Sequence, residues 1–228
     1  MSARAVPADG KAKRAPRFAS VVLDVDSTLS GIEGIDWLAG LRGPEMAARI
    51  TALTDRAMRG EITLDSVYGE RLQMIAPTRR EIEALSQAYV AAIAPGATDV
   101  IAKLRRAGVA IALVSGGLRE AIVPLARVVG AEGHALTAVS IRFSGDGSYA
   151  GYDQRSPLAT QHGKAQVVRD LALAAPVLGV GDGATDLAMR PSVAAFGAFT
   201  GFVRRDAVVR GADHTIESFV QLEALVLG

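Results

Sequence analysis

The spacing of apolar residues changes several times along the chain, and each change predicts a different structure. Residues 21–23 form a short apolar run without helical periodicity, which ends abruptly at Asp24. A run of this kind is typical of a buried strand in a parallel sheet. Between residues 35 and 93 the apolar residues recur at helical spacing instead, and Gly and Pro residues interrupt the pattern. This stretch predicts four successive helices without an intervening strand.

After Pro95 the pattern alternates between helices and strands. Further helices are predicted at 97–107, at 118–129, from 163 to about 173, around 203–209 and from 219 onwards. Strands are predicted at 109–114, from 177 to about 181 and near 215–216, and residues 193–199 form a further short apolar run. Residues 136–153 predict a hairpin, because strand-like residues flank a Gly-Asp-Gly sequence.

This order of elements predicts the α/β class, with a Rossmann-like parallel sheet flanked by helices. We expect residues 18–31 and 95–228 to form the core, with the hairpin at about 136–153 as a small insertion. The helices of residues 32–94 are expected to form a helical-bundle cap, which is inserted after the first strand and lies over the core.

The composition narrows the possible functions. Half of the 228 residues are hydrophobic, which suffices for a sizeable core, and the formal net charge of +1 indicates no bulk affinity for nucleic acid or membranes. No apolar run approaches the roughly 18 residues of a membrane-spanning helix, and residues 1–17 lack the apolar segment of a secretory signal. We therefore expect a cytoplasmic protein, and the composition is compatible with a monomer or a homodimer. The absence of cysteine excludes a thiol nucleophile and thiolate metal sites.

The first 17 residues differ in composition from the rest of the chain. A single acidic residue, Asp9, stands against five basic residues, which are Arg4, Lys11, Lys13, Arg14 and Arg17. Pro7, Gly10 and Pro16 interrupt any regular pattern. This composition predicts a disordered basic leader, which could still contact an anionic partner.

Two carboxylates follow the first predicted strand. Residues two apart on a strand point to the same face, so Asp24 and Asp26 can converge on one site. Crowded carboxylates repel each other, and the pair is tolerable when a cation lies between them or when one of them is protonated. The alternative is that both acids only end the strand and cap the following turn.

Polar residues also follow the second strand and begin a later helix. The hydroxyl of Ser115 and the amides of Gly116 and Gly117 can donate to phosphate oxygens, although an ordinary tight turn would have the same composition. Lys164 stands early in a helix, where the dipole disfavours a positive charge. It fits that place if it reaches an external anion, and a surface lysine is the alternative.

The strand predicted near residue 177 is followed by Asp182 and, four residues later, Asp186. These carboxylates are the hard oxygen ligands that Mg²⁺ prefers, or they could orient such ligands. Turn and helix-capping acids are the alternative. Because the carboxyl ends of parallel strands meet at one edge of the sheet, the three strand ends jointly predict a site for phosphate and Mg²⁺.

The order and spacing of these motifs resemble the haloacid dehalogenase superfamily. Within it, the chain is similar to the branch that hydrolyses phosphoserine, and the similarity covers roughly residues 20–225. The stretches that carry it are Asp24-Val-Asp-Ser-Thr-Leu, Glu33-Gly-Ile-Asp36, Ala57-Met58-Arg-Gly60, Val114-Ser115-Gly116-Gly117 and Gly181-Asp-Gly-Ala-Thr-Asp186.

The resemblance implies a mechanism through an aspartyl phosphate. Asp24 would be the nucleophile, and Asp26 would protonate the leaving oxygen and later deprotonate water. Mg²⁺ would be the cofactor, held by the Asp24 carboxylate, the Asp26 main-chain carbonyl and Asp182. The other phosphate oxygens would be bound by three residues of the core, which are Ser115, Gly116 and Lys164.

Substrate choice is expected to come from the cap. The resemblance assigns Glu33 to the substrate ammonium and Arg71 to its carboxylate, and it places Thr185 near the substrate and Met58 at the pocket wall. Leu64 departs from the family pattern, because some members have an aromatic residue there. The implied activity is Mg-dependent hydrolysis of O-phosphoserine. There are two alternatives to this activity. The protein could act on another small phosphate ester, or it could bind phosphoserine without catalysis.

Overall fold

Six parallel strands form the central sheet of the protein, of which a computed structural model describes residues 15–228. The strand order is β3-β2-β1-β6-β7-β8. The strands of this sheet are β1 (Ser20–Leu23), β2 (Ala110–Leu118), β3 (Leu136–Val139), β6 (Val177–Gly181), β7 (Ala195–Phe199) and β8 (His214–Ile216). A separate antiparallel hairpin consists of β4 (Ile141–Phe143) and β5 (Tyr149–Tyr152). The predicted fold class is confirmed.

β1 lies in the middle of the sheet, between β2 and β6. Its three apolar residues, 21–23, are fully buried, as the absence of polar alternation in this run predicted. The chain places β2 and β3 on one side of β1 and β6 to β8 on the other. The strand order therefore reverses beside β1, and open α/β sheets bind their ligands at the carboxyl ends of strands at such a point.

Helices cover the sheet and fill the segment between β1 and β2. The ten α-helices of the described residues are α1 (Gly34–Gly40), α2 (Pro44–Met58), α3 (Tyr68–Ile75), α4 (Arg79–Ala91), α5 (Ala97–Arg106), α6 (Arg119–Val128), α7 (Gly163–Asp170), α8 (Ala184–Leu187), α9 (Asp206–Gly211) and α10 (Phe219–Leu227). Among residues 15–228, none of these helices combines the length and the apolar character that crossing a membrane requires.

The first four helices occupy the segment for which helical periodicity predicted them. α4 begins with a capping box, in which Thr78 and Glu81 satisfy each other's backbone amides. The same helix packs against α6 of the core. The C-terminal end of α4 is attached to the loop after β1, where the Gly31 amide donates to the Ala92 carbonyl at 2.9 Å. The division into a core and a cap at residues 32–94 stays our interpretation of this arrangement.

Two strand boundaries differ from the predictions. β2 continues past residue 114 to Leu118, with an irregularity in its pairing with β3 after Val114. Residues 136–139, which were assigned to the hairpin, form the edge strand β3 of the main sheet. Alternation alone does not separate these two strands, because only residue 140 lies between β3 and β4.

The predicted basic leader lies outside the described residues except for positions 15–17. The amide of Arg17 donates to the carbonyl of Val226 in α10, at 2.7 Å. The chain is therefore already attached to the core at this residue.

Candidate active site

Three neighbouring strands bring polar side chains together at one edge of the sheet. Asp24 follows β1, Asp182 follows β6, and Ser115 lies in the last part of β2, and none of the three is more than 4% exposed. Asp24 and Asp182 border a cavity that opens to solvent, and Ser115 lies behind Asp26, which also borders it. Core and cap both line it, with Asp24, Asp26, Glu33, Ile35, Asp36, Thr54, Met58, Leu64, Tyr68, Arg71, Gly116, Gly117, Lys164, Asp182 and Thr185.

Lys164 joins two buried carboxylates at the floor of this cavity. Its Nζ lies 2.5 Å from Oδ1 of Asp24 and 2.5 Å from Oδ1 of Asp186. Burial alone would lower the pKa of this lysine, but the charges of Asp186 and Asp24 outweigh burial and raise its pKa above the ordinary value. Lys164 is thus a fixed, buried positive charge, and the surface-lysine alternative is wrong.

Asp24, Asp182 and Asp186 form a group of buried acids. One oxygen of each lies within 4.8 Å of those of the other two. Burial and the neighbouring Asp186 raise the pKa of Asp24, although Lys164 acts in the opposite direction. Several hard oxygen donors with excess negative charge fit a divalent cation such as Mg²⁺. The donor set at this edge of the sheet therefore suits the predicted metal.

The sequence predicted that Asp186 either binds the metal or orients its ligands, and the contacts of Asp186 indicate the second, supporting role. The Gly183 amide donates to its Oδ2 at 2.9 Å, while Lys164 occupies its Oδ1. A Cβ at residue 181 would overlap the Asp186 carboxylate, so glycine at that position lets the side chain fold back against β6. Both Asp186 oxygens are thus already engaged, and this residue orients Lys164 within the group.

The side chain of Asp26 points away from the acidic group and towards the cap. Its Oδ1 accepts hydrogen bonds from the Gly34 amide and the Tyr89 hydroxyl, both at 2.7 Å. Its Oδ2 accepts a bond from the hydroxyl of Ser115 at 3.2 Å. The carboxyl group of Asp26 is thereby held beside the cavity, separately from the three acids around Lys164. Its predicted contact with a metal was through the main-chain carbonyl and stays a prediction.

The polar groups after residue 114 connect β2 to both parts of the site. The Ser115 hydroxyl, besides its bond to Asp26, accepts the Gly117 amide at 2.9 Å. The Gly116 carbonyl accepts the hydroxyl of Tyr68, which comes from α3, at 2.8 Å. Because that carbonyl is tied to the cap, the peptide between Gly116 and Gly117 is held at the cavity wall.

Arg71 places a buried guanidinium in the cap portion of the cavity. The residue is 3% exposed, and its Nη1 donates to Oγ1 of Thr54 at 2.7 Å. The Thr54 hydroxyl in turn donates to Asp36 at 2.6 Å. Among the described residues, Nε of Arg71 has no hydrogen-bond partner. A buried donor in this situation costs about 1–3 kcal/mol, which a bound acceptor would recover.

Glu33 lies between the core loops and the cap. Its Oε1 accepts the hydroxyl of Ser27 at 2.8 Å, and Nη2 of Arg205 lies 3.6 Å from the same oxygen. Burial, together with the negative charge of Asp26, raises the pKa of Glu33 to about 7. A cationic group beside this carboxylate would favour its ionised form.

Arg205 is a site residue that the sequence did not indicate. It precedes α9, is 8% exposed and forms an ion pair with Asp182 as well as the contact with Glu33. Its neighbour Arg204 is exposed. No spacing or motif distinguishes these two arginines, so only the folded chain identifies Arg205 as the one that enters the site.

The remaining predicted residues lie at the cavity wall. Thr185, in α8, is buried. Met58, at the end of α2, lies next to Gly183, since a Cβ added to Gly183 would lie 2.7 Å from the Met58 sulfur. Leu64 is also buried and lines the cavity. All predicted site residues therefore border the cavity except Ser115, which reaches it through Asp26.

Comparisons with known proteins agree with this geometry. Residues 21–190 match the family model of the haloacid dehalogenase-like hydrolases. The human phosphoserine phosphatase is 34% identical over 206 residues, which cover 89% of this chain and 91% of that protein. The chloroplastic phosphoserine phosphatase of Arabidopsis thaliana is 32% identical, over 89% of this chain and 70% of that protein. A phosphoserine phosphohydrolase-like protein from Francisella tularensis has the same fold, with a TM-score of 0.83 at 24% identity, over 90% of this chain and 98% of that one.

Proposed function

The chain belongs to the haloacid dehalogenase-like hydrolase family, and we propose that it hydrolyses O-phospho-L-serine to L-serine and phosphate. This reaction completes serine synthesis. The curated relatives that support the proposal are named for the same activity and align with nine-tenths of the chain. The cytoplasmic location and the monomeric or dimeric state expected from the sequence stay predictions.

The observation that carries the proposal is a cavity with two chemically different ends. At one end, Asp24 and Lys164 present a carboxylate and a buried cation. At the other end, Nε of Arg71 has no hydrogen-bond partner within residues 15–228, and Glu33 offers a carboxylate. A guanidinium suits a carboxylate and a carboxylate suits an ammonium group. The cavity thus complements an amino acid at one end and a phosphate at the other.

In the proposed mechanism, Asp24 attacks phosphorus while the bond to the seryl oxygen breaks. Asp26 donates its proton to that oxygen, so serine leaves as a neutral alcohol and Asp24 carries the phosphoryl group. The carboxylate of Asp26 then takes a proton from water as the water oxygen attacks phosphorus. Phosphate departs, Asp24 is restored, and Asp26 is again protonated.

One cation and two neutral hydrogen-bond donors of the chain stabilise the charge that develops on the phosphoryl oxygens. Lys164, Ser115 and the Gly116 amide are proposed to bind these oxygens. Asp24, Asp182 and the main-chain carbonyl of Asp26 would hold Mg²⁺, which when bound supplies a Lewis acid that neutralises phosphoryl charge. Asp186 keeps Lys164 in position for this task.

The cap residues are proposed to recognise serine. Arg71 binds its carboxylate, Glu33 binds its ammonium group, and Thr185 and Met58 limit the space around it. Leu64 contributes an apolar wall where some relatives of the family have an aromatic side chain. Burial strengthens each of these charged contacts because water competes less for the groups.

Phosphate release from a panel of small phosphorylated molecules, with and without Mg²⁺, tests the proposal. The panel contains L-phosphoserine, phosphoethanolamine, 3-phosphoglycerate and acetyl phosphate. We expect metal-dependent release with a kcat/KM that is highest for phosphoserine, and loss of activity with a chelator that Mg²⁺ reverses. A preference for another ester would contradict the assignment of Glu33 and Arg71, and no release from any ester would favour a binding protein without catalysis.

A further inference from the structure

We propose that Tyr89, in the last helix of the cap, is a positioning residue that fixes which oxygen of Asp26 carries the catalytic proton. This inference rests on the proposed function, because it assigns a task within the same reaction. It concerns a residue of the segment with helical apolar spacing, 35–93, that no motif singles out.

The geometry gives the two oxygens of Asp26 different surroundings. Oδ1 accepts two hydrogen bonds of 2.7 Å, from the Tyr89 hydroxyl and from the Gly34 amide. Oδ2 lies 3.2 Å from the Ser115 hydroxyl, on the side of the phosphate-binding groups. Tyr89 is completely buried, so water does not compete with Asp26 for the hydrogen bond from its hydroxyl.

These contacts decide the position of the proton in the neutral carboxyl group. An oxygen that accepts two hydrogen bonds uses both lone pairs and is the carbonyl oxygen of the acid. The proton must therefore lie on Oδ2, which faces the site. As this proton passes to the leaving seryl oxygen, negative charge develops on Asp26, and the bonds from Tyr89 and Gly34 strengthen. They stabilise the transition state more than the ground state.

The backbone around Tyr89 holds its side chain in this place. The Ser30 hydroxyl donates to the Tyr89 carbonyl at 3.1 Å, and the Gly31 amide donates to the Ala92 carbonyl at 2.9 Å. The loop that follows Asp26 is thus tied directly to the end of α4. A Cβ at residue 34 would overlap the Tyr89 hydroxyl, so the tyrosine reaches Asp26 only because residue 34 is glycine.

Tyr89→Phe tests the proposal when two substrates with different leaving groups are compared. Serine leaves as a poor leaving group that needs a proton, whereas acetyl phosphate releases acetate, which does not. The kcat/KM value covers only the steps up to phosphorylation of Asp24, so the later attack of water does not affect it. We expect kcat/KM to fall ~10- to 100-fold for phosphoserine and less than ~3-fold for acetyl phosphate.

Tyr68→Phe is the matched control. Tyr68 is also a buried tyrosine of the cap that borders the cavity, but its hydroxyl donates to the Gly116 carbonyl instead of Asp26. Its removal should change both substrates by the same factor. Equal losses on both substrates in Tyr89→Phe would overturn the proposal, because a merely structural role affects the two reactions alike.

A second variant and the wild-type protein keep the outcome interpretable. Gly34→Ala displaces the tyrosine hydroxyl without removing it and should show the same selective loss, which covers the case in which Tyr89→Phe folds poorly. If the wild-type protein releases no phosphate from phosphoserine, the proposed function fails. The same ratio is then measured with the alkyl ester that the panel identifies, and it still decides the role of Tyr89.

Discussion

The two ends of the cavity are built in different ways. At the phosphate end, the ionised groups are already paired with each other, since Lys164 bridges Asp24 and Asp186 at 2.5 Å. At the amino-acid end, Arg71 is held through one nitrogen while its Nε lacks a partner among the described residues, and Glu33 has Arg205 at 3.6 Å. The charged groups of the phosphate end already have partners within the protein, whereas the amino-acid end retains groups that can bind a ligand.

This difference suggests a division of labour. Core residues that are paired before substrate arrives form a preorganised site for phosphoryl transfer, which needs no rearrangement during the reaction. Cap residues with unused hydrogen-bonding capacity gain most from the correct ligand and penalise one that lacks the matching group. Changes at the core end should therefore abolish chemistry on every ester, whereas changes at the cap end should alter the choice among esters.

The largest effect is expected from Asp24→Asn. Removal of the nucleophile should lower kcat at least ~10³-fold on phosphoserine and acetyl phosphate alike. The fold should persist, because the amide has nearly the volume of the carboxylate and Lys164 keeps Asp186 as a partner. Phosphate release and thermal unfolding measured on the same sample check both statements.

Asp146→Asn is the control for this variant. Asp146 is an exposed residue of the hairpin turn that only accepts bonds from Ser148. Its replacement should leave kcat unchanged on both phosphoserine and acetyl phosphate. Retained activity in a pure Asp24→Asn sample would contradict the assignment of the nucleophile and the comparison of the two ends.

The sequence predicted the phosphate end better than the surroundings of the site, for a physical reason. Parallel strands place their carboxyl ends at one edge, so Asp24, Ser115 and Asp182 could be brought together from the strand pattern alone. Tyr89 has the apolar spacing of a helix core position, and its hydroxyl acquires a role only where the folded chain brings α4 to Asp26. The role of Arg205 depends similarly on how the loop before α9 brings this residue to Asp182 and Glu33. Such contacts come from tertiary packing, which local periodicity does not encode.

A smaller and selective effect is expected from Arg71→Ala. Phosphoethanolamine is phosphoserine without the carboxylate, so it keeps the leaving group and the ammonium but offers Arg71 nothing to bind. The KM for phosphoserine should rise ~10- to 100-fold, because a charge-assisted pair is lost, while the KM for phosphoethanolamine changes little. Steady-state kinetics on both esters measure the difference.

Arg49→Ala provides the corresponding surface control. Arg49 is an exposed residue of α2, and its nearest carboxylate is that of Glu70 at 3.7 Å, so its removal should affect neither ester. If Arg71→Ala weakens both esters equally, the guanidinium supports the cap structure and does not read the substrate carboxylate.

The smallest effect is a pH dependence that belongs to Glu33 alone. Burial and Asp26 raise the pKa of Glu33 to about 7, so in the free protein the ionised fraction rises as the pH passes through 7. Only the ionised form attracts the substrate ammonium, which stays charged over this range. The phosphate ester of 3-hydroxypropionate has the carboxylate but no ammonium, and it corrects for other titrating groups. The ratio of kcat/KM for phosphoserine to that for this ester should increase ~10-fold from pH 6 to pH 8.

Glu33→Gln should make the ratio independent of pH, whereas Glu45→Gln, at an exposed position of α2, should preserve the increase. A ratio that stays constant in the wild-type protein and that Glu33→Gln leaves unchanged would mean that Glu33 does not face the ammonium group, and the cap would then distinguish substrates through Arg71 alone.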